Sequence, residues 1–278
     1  MVSTDAFSGF IQIAPGFQPR PRASHAVFDF DGTLSLIRQG WPEVMVPMFA
    51  EMLPRAEGDT EDSVREMLFD DIMKLNGKQT IYQMIRFAER VEERGGRAED
   101  PLWYKHEYLR RLDERISNRK EALRSGASSP ADWLVHKVRD LLAALRSRDL
   151  TCYLLSGTDE IYVREEAELL GVDSLFEGRI YGARDDYRSF SKKIAMDRMF
   201  EEHGIDGGNL LSFGDGYVEI ENTRQLGGLA VAVASDEANN GSGNVDEWKR
   251  NRLTGVGADI VIADYRDAEP LVKLIFGE

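Results

Sequence analysis

The chain has 278 residues, of which 42% are hydrophobic and 30% charged, a composition typical of a globular protein with one large or two small domains. Its formal net charge of −14 argues against a nucleic-acid partner, and local charge or a metal must attract any anionic substrate. We find no apolar run of membrane-spanning length and no signal-peptide pattern, so we expect a cytoplasmic protein with no membrane partner.

Cysteine and histidine give no sign of a metal site. Cys152 is the only cysteine, which excludes an internal disulfide and a zinc site built from several cysteines. Its apolar neighbours predict an inert thiol in a buried strand. The four histidines are scattered without ligand spacing, so we expect no zinc site.

The chain begins with a segment rich in turn-forming residues. Residues 1–24 contain Pro15, Pro19 and Pro21 among glycines and polar residues, which predicts an irregular leader outside any sheet. The first strand follows directly, because residues 26–34 read AVFDFDGTL. An apolar run that opens into carboxylates and a glycine indicates a strand end of a parallel sheet, where open α/β sheets bind ligands.

Asp29 and Asp31 are the two carboxylates of this turn. Being two positions apart, they leave an extended backbone on the same face. Paired carboxylates repel each other unless a cation neutralises them, and Mg²⁺, which prefers oxygen ligands, is the candidate. A DxD pair alone is more often a polar turn at a strand end.

The segment resembles the first motif, DxDGT, of the haloacid dehalogenase (HAD) superfamily of phosphohydrolases, and three further matches follow downstream. The resemblance implies an α/β fold: a Rossmann-like parallel sheet core with an inserted all-helical cap domain. It also implies that Asp29 is the nucleophile that becomes an aspartyl phosphate, and that Asp31 is the general acid and base.

Helical periodicity occupies nearly a hundred residues after the first motif. Three apolar stripes predict helices over Met45–Leu53, Val64–Leu75 and Ile81–Ala88, and alternating charge indicates a further helix over Leu102–Leu123. We therefore predict a catalytic core of residues 1–36 and 130–278, and a helical insert of residues 37–129. The insert resembles the family's C1-type cap, whose loops close over the active site and select the substrate.

The turn between the second and third predicted helices reads NGKQT, residues 76–80. An ordinary interhelical turn explains it, with Gly77 ending one helix. The resemblance to a cap offers the alternative that Lys78 and Gln79 contact the substrate.

The strand predicted over Leu150–Leu155 runs into Ser156, Gly157 and Thr158. A hydroxyl and free amides before a helix N-terminus can bind phosphoryl oxygens, although the same residues also make an ordinary capped turn. The position resembles the second family motif, which implies that Ser156 and Gly157 bind phosphate.

Two further segments resemble the remaining motifs. Lys192, at the start of a helix predicted to reach about His203, resembles the lysine of the third motif, which offsets the charge of the nucleophile and the phosphoryl group. Lys193 is an alternative that the sequence does not separate from it. Asp215 follows a strand and a glycine, as in the fourth motif, which implies a direct Mg²⁺ ligand.

Glu219 is the second acid of the fourth motif, where aspartate is more frequent. Its extra methylene changes its reach, so we expect it to hold Mg²⁺ through water; otherwise it is a solvated residue of a first helical turn. Asp236 and Glu237 follow another predicted strand, and we expect them in a solvated turn; the alternative is that they contact the site.

The resemblance implies a Mg²⁺-dependent phosphomonoesterase that acts on a small phosphorylated metabolite, with a sugar phosphate as one candidate. Mg²⁺ would be held by Asp29, Asp31 through its backbone carbonyl, Asp215 and Glu219. Two alternatives remain open: a phosphomutase that uses the same residues, and a non-catalytic module that binds a phosphorylated ligand. The sequence leaves the oligomeric state open.

Overall fold

The computed structural model describes residues 10–188 and 191–278, and over these ranges it is an α/β fold with one seven-stranded sheet. The strands are β1 Ile11–Ile13, β2 His25–Phe28, β3 Thr151–Asp159, β4 Ile180–Ala183, β5 Leu210–Gly214, β6 Leu229–Val233 and β7 Ile260–Ile262. The helices are α1 Pro42–Met52, α2 Glu61–Lys74, α3 Ile81–Glu93, α4 Pro101–Ser125, α5 Val138–Arg146, α6 Glu160–Leu169, α7 Lys192–His203, α8 Tyr217–Gln225, α9 Glu247–Gly255 and α10 Ala268–Phe276.

The first-motif strand, β2, lies inside the sheet, next to its central strand β5. The strand order is β1-β7-β6-β5-β2-β3-β4, and β2 pairs in parallel with both β5 and β3. Its apolar residues are buried because helices cover both faces of a parallel sheet, and Phe28 stacks on Phe213 of β5 at 4.7 Å between ring centroids. The chain crosses to one side of β2 for β3 and β4 and to the other for β5 to β7, so the ends of β2, β3 and β5 meet at the switch in strand order.

The predicted irregular leader is wrong in its described part. Ile11–Ile13 form β1, which pairs antiparallel with β7 and closes that edge of the sheet. The strand is only three residues long and half-buried, and the prolines that follow it obscure its short alternating pattern.

The helical insert packs as a layer of its own over the C-terminal ends of the sheet strands. Helix α1 packs against α2 and α4, and α3 packs against α2 and α4. Its interior is aromatic: Phe49 stacks on Phe87 at 4.0 Å between ring centroids, and Tyr104 meets Phe87 edge-on at 4.9 Å. Pro47 lies inside α1. All four predicted helices are present, each within a few residues of its predicted bounds.

The strand predicted over Leu150–Leu155 is longer than expected, because β3 continues through the second-motif turn to Asp159. Before it, helix α5 begins at Val138 after a 3₁₀ turn at Pro130–Trp133, and Leu134 bridges to Ser35 beside the first motif. A second 3₁₀ turn, Asp173–Phe176, precedes β4. Within the described ranges, no helix combines the length and apolar character needed to cross a membrane.

Candidate active site

Asp29 leaves the end of β2 and is held from two sides. Its side chain is buried, and Oδ1 accepts a hydrogen bond from the backbone amide of Phe30 at 2.8 Å. The Nζ of Lys192 lies 2.7 Å from Oδ2. Burial raises the pKa of Asp29 above its ordinary value, and the nearby ammonium group of Lys192 opposes that rise. The carboxylate is therefore fixed in orientation and stripped of solvent.

Lys192, and not Lys193, faces the carboxylates. Ser191 caps helix α7, and the first turn of the helix directs Lys192 to the sheet edge, where Nζ also lies 3.0 Å from Oε2 of Glu219. Lys193 is exposed and pairs with Asp197 at 2.7 Å. The buried ammonium bridges two carboxylates, which is the geometry required of a residue that offsets their charge.

Asp29, Asp215 and Glu219 converge, with one potential ligand oxygen from each lying within 4.8 Å of the others. The backbone amide of Asp215 donates to Oγ1 of Thr33 at 3.0 Å, which ties the β5 loop to the first motif. Glu219 accepts a hydrogen bond from the amide of Gly216 at 2.7 Å and is only 1% exposed. The alternative that Glu219 is a solvated helix residue is therefore wrong.

Burial raises the pKa of Glu219 to about 8, against the opposing attraction of Lys192. Space around this carboxylate is tight, because a Cβ at Gly214 would lie 2.2 Å from Oε1 of Glu219. The glycine before Asp215 is thus needed for the close approach of the helix α8 carboxylate to the strand end.

A second buried lysine, which the sequence analysis did not identify, completes the cluster. The Nζ of Lys249, on α9, lies 3.0 Å from Oδ2 of Asp215 and 2.6 Å from Oε1 of Glu237. The expectation of a solvated turn is therefore wrong for Glu237, whereas Asp236 does cap the exposed turn at Asn239. Lys249 lies in a strongly charged segment with no motif spacing, so the sequence carried no signal for it.

Asp31 turns away from this cluster toward the third strand. Its Oδ2 accepts a hydrogen bond from Oγ1 of Thr158 at 2.7 Å, and its Oδ1 lies 3.9 Å from Nε of Arg38. Burial raises the pKa of Asp31 to about 7, and the positive charge of Arg38 limits the rise. A carboxyl group with this pKa is partly protonated near neutral pH and suits proton transfer.

The loop at residues 76–80 lies directly on the strand-end loops of the core. A Cβ at Gly77 would come within 3.0 Å of the Gly216 Cα, and a Cβ at Gly157 within 2.6 Å of the Lys78 carbonyl oxygen. The resulting cavity is lined from the sheet edge by Asp29, Asp31, Lys192 and Asp215, and from above by Trp41, Lys78 and Tyr108.

Lys78 and Gln79, the two substrate-contact candidates of this loop, lie in different environments. Lys78 lines the cavity, whereas Gln79 is buried and its Nε2 donates to the carbonyl of Tyr187 at 3.2 Å. Gln79 is therefore turned toward the segment after β4 in this structure, and its contact with substrate stays a prediction. The residue braces the loop.

The sequence and the fold both resemble those of known proteins. The family model of haloacid dehalogenase-like hydrolases matches residues 24–227. The chain belongs to this family. A phosphoglycolate phosphatase from Synechococcus elongatus is 26% identical over 207 residues, which are 74% of this chain and 82% of that protein.

Two solved structures are similar in fold. A HAD hydrolase of family IA, variant 3, from Entamoeba histolytica has a TM-score of 0.59 at 16% identity and covers 91% of this chain and 99% of its own. A candidate β-phosphoglucomutase from Bacteroides vulgatus has a TM-score of 0.60 at 13% identity, and the match covers 94% of this chain and 92% of that protein. The predicted superfamily, the fold class and the enzyme class, a HAD-family phosphatase, are confirmed.

The second motif of this HAD chain has an arrangement that the sequence did not reveal. Ser156 is fully buried, and its Oγ accepts a hydrogen bond from the Thr158 amide at 3.0 Å, while Gly157 and Thr158 line the cavity. The Ser156 hydroxyl keeps its own proton to donate. Phosphate binding by Ser156 and Gly157 stays a prediction.

The donor set of this HAD site fits a divalent cation. Four carboxylates, those of Asp29, Asp215, Glu219 and Glu237, surround the ammonium groups of Lys192 and Lys249. When all four are ionised, they exceed the two ammonium charges by two. Carboxylate oxygens are the ligands that Mg²⁺ prefers. A dication at this position would balance the buried charge.

Proposed function

We propose that the chain is a Mg²⁺-dependent phosphomonoesterase that acts on a small phosphorylated metabolite, with sugar phosphates among the candidates. The observation that carries this proposal is the pairing of two differently tuned carboxylates in one cavity. Asp29 lies against Lys192 at 2.7 Å, and Asp31, with a pKa raised to about 7, accepts from Thr158. One carboxylate is placed to attack, the other to move a proton.

Asp29, Asp215 and Glu219, with the backbone carbonyl of Asp31, are the residues that would hold Mg²⁺. When bound, the ion would offset the negative charge that builds up as a carboxylate approaches a phosphate dianion. Lys192 also offsets this negative charge, since its Nζ contacts the carboxylates of both Asp29 and Glu219.

In the first step, an Asp29 oxygen attacks phosphorus in line with the ester oxygen, which leaves as the alcohol and yields an aspartyl phosphate. Asp31 donates the proton that the departing oxygen needs. Thr158 holds the Asp31 carboxyl by its hydrogen bond at 2.7 Å, so the group is oriented before substrate arrives. General acid help of this type contributes roughly 10²- to 10⁴-fold.

In the second step, water attacks the phosphorus of the aspartyl phosphate. Asp31, now deprotonated, takes a proton from that water, and Asp29 is released with inorganic phosphate. We assign the phosphoryl oxygens to the amides and hydroxyl of the turn at Ser156 and Gly157, next to the N-terminus of α6.

We assign residues 37–129 to a C1-type cap and residues 1–36 and 130–278 to the catalytic core. The contact of Gly77 with Gly216 supports a cap that covers the reacting carboxylates. A covered cavity admits small esters and disfavours phosphorylated protein surfaces.

The test is release of inorganic phosphate from a panel of phosphate esters in the presence of Mg²⁺. Stoichiometric phosphate and alcohol production is expected; transfer of the phosphoryl group within a sugar, without free phosphate, would identify a phosphomutase. Asp29→Asn should lower kcat on the order of 10³-fold or more, while Asp197→Asn, the same change at a residue paired with Lys193, should not. Binding without turnover of any ester would favour the non-catalytic module.

A further inference from the structure

Two buried hydrogen-bond donors on the cap side of the cavity have no task in the chemistry proposed above. Arg38 is 7% exposed and Tyr108 4% exposed, and both line the cavity that holds Asp31. Arg38 uses Nε and Nη2 on Glu166, and Nη1 donates to no acceptor within the described ranges. The Tyr108 hydroxyl likewise has no hydrogen-bond partner among the described residues, and Tyr108 lines the cavity, so the hydroxyl is available to a ligand there.

The charge of Arg38 is already neutralised. Its guanidinium makes a two-pronged contact with the fully buried Glu166, at 2.8 Å for the closest pair, and Asp31 lies 3.9 Å away on the other side. Arg38, Glu166 and Asp31 therefore carry no net positive charge, whether or not Asp31 is protonated. The group offers hydrogen bonds but no attraction for an anion.

We propose that Arg38 and Tyr108 select a leaving group that carries uncharged hydroxyls, as a polyol or sugar phosphate does, and disfavour one that carries a carboxylate. Arg38 lies beside the acid that would protonate the leaving oxygen, so Nη1 and the Tyr108 hydroxyl face the body of the leaving alcohol. A ligand hydroxyl accepts from these donors without bringing in a charge. A carboxylate would meet an arginine whose charge the buried Glu166 already neutralises.

This inference rests on the proposed phosphatase function. It predicts a different substrate class from that of the Synechococcus relative, whose name gives phosphoglycolate, a phosphorylated carboxylic acid, as its substrate. Lys78 is the competing feature, because this exposed lysine also lines the cavity. If the Lys78 ammonium group binds the leaving group, it favours a substrate with a carboxylate. Selection by Arg38 and Tyr108 favours a substrate with hydroxyls, so the two hypotheses predict opposite orders of substrate preference.

Glycerol 3-phosphate and 3-phosphoglycerate form a matched pair, since they differ only in a hydroxymethyl against a carboxylate group. We expect kcat/KM for glycerol 3-phosphate to be at least about tenfold higher, because a carboxylate would lose its hydration beside a group that carries no net positive charge to compensate it. A preference for 3-phosphoglycerate would overturn the inference while leaving the phosphatase function in place.

Two variants test the residues themselves. Glu166→Gln removes the neutralising charge, and should shift the ratio of the two kcat/KM values about tenfold toward 3-phosphoglycerate. Glu165→Gln removes the same charge one residue away, where it faces Lys120 and Arg124, and should leave the ratio unchanged. An unchanged ratio in Glu166→Gln would show that Arg38 does not face the leaving group.

Tyr108→Phe keeps the test open if the buried Glu166 variant does not fold. It should lower kcat/KM for glycerol 3-phosphate about tenfold relative to 3-phosphoglycerate, since it removes one neutral hydrogen bond. Tyr181→Phe removes a hydroxyl on β4, outside the cavity lining, and should not change the ratio.

Calorimetric binding of both esters to Asp29→Asn separates this inference from the proposed function. Tighter binding of glycerol 3-phosphate supports the inference even if no ester is turned over by the parent chain. Equal binding, tighter binding of 3-phosphoglycerate, or binding of neither would overturn it.

Discussion

Buried charge concentrates at the ends of β2 and β5, where Lys192 and Lys249 lie among four carboxylates. Charges removed from water are tolerated only when each has a partner, and breaking one such pair typically costs about 3–5 kcal/mol. Each lysine bridges two acids, so the cluster is held together by cations that belong to the protein. This arrangement keeps the site formed before any metal binds.

Lys249→Met tests that arrangement at one residue. Removal of the ammonium leaves Asp215 and Glu237 facing each other unpaired, so we expect the metal-free variant to unfold at a lower Tm. Mg²⁺ can take over the neutralisation, so it should raise the Tm of the variant by more than it raises that of the parent. Differential scanning calorimetry with and without Mg²⁺ measures both quantities.

Lys193→Met is the matched control, because Lys193 is exposed and pairs only with Asp197. It should alter neither Tm nor the response to Mg²⁺. An equal Mg²⁺ response in Lys249→Met and the parent would mean that Lys249 plays no part in the charge balance of the metal site.

Glu219 and Asp215 are expected to differ in their contribution to Mg²⁺ binding. Glu219 is tied to the Gly216 amide and Lys192, and a glutamine can keep the first of these bonds. Glu219→Gln should therefore weaken Mg²⁺ affinity by about 10- to 100-fold, as loss of an outer-shell partner does. Asp215→Asn should lose far more, which calorimetric Mg²⁺ titration of the two variants measures. A Glu219→Gln defect as deep as that of Asp215→Asn would place Glu219 in direct contact with the ion.

At the scale of elements, the loop between α2 and α3 is held against the core from several directions. Arg252 of α9 donates to the carbonyl of Met73 and, at 2.8 Å, to that of Lys74, which caps the C-terminus of α2. Gly77 then packs on Gly216, and Gln79 is braced by the Tyr187 carbonyl. The position of Lys78 over the carboxylates therefore depends on contacts made by its neighbours.

Gly77→Ala should disturb this closure. Gly77 has a φ of +93°, and an added Cβ would lie 3.0 Å from the Gly216 Cα, so the loop must lift from the core. We expect KM to rise about tenfold, because the loop at residues 76–80 would be positioned less firmly over the substrate. Steady-state kinetics on the preferred ester measures the change.

Gly58→Ala controls for backbone strain alone. Gly58 has a similar φ of +87°, but no atom lies within 4 Å of its added Cβ. Both variants should lose comparable stability, and only Gly77→Ala should change KM. If Gly77→Ala kept the KM of the parent protein, the contact with Gly216 would not be what positions the loop at residues 76–80.

At the scale of the whole molecule, a chain of net charge −14 must attract an anionic ester with a few buried cations. We therefore expect activity to be lost on chelation and restored by added Mg²⁺. Because the carboxylates converge only in the folded state, Mg²⁺ at 100 times its Kd should stabilise the fold by about 2.7 kcal/mol. Full turnover in excess EDTA, after removal of bound metal, would contradict a metal requirement.

The sequence alone was sufficient for the residues whose position follows from local backbone geometry. Asp29 and Asp31 follow a buried apolar strand, and Asp215 follows another. Their location at the C-terminal ends of the strands could therefore be predicted from the sequence. Three helices of the insert could be predicted as well, because an amphipathic stripe at a period of 3.6 residues reports the face that a helix buries, and the fourth was indicated by its alternating charges.

Contacts between distant segments were decided only by the tertiary structure. The choice of Lys192 over Lys193 depends on the direction in which the first turn of α7 points, and the inward turn of Asp31 toward Arg38 and Thr158 depends on β3. Lys249 and Glu237 enter the site from a helix and a turn that carry no motif, and Gln79 leaves it for Tyr187. Periodicity reports which face is buried; only the folded chain determines which side chains meet there.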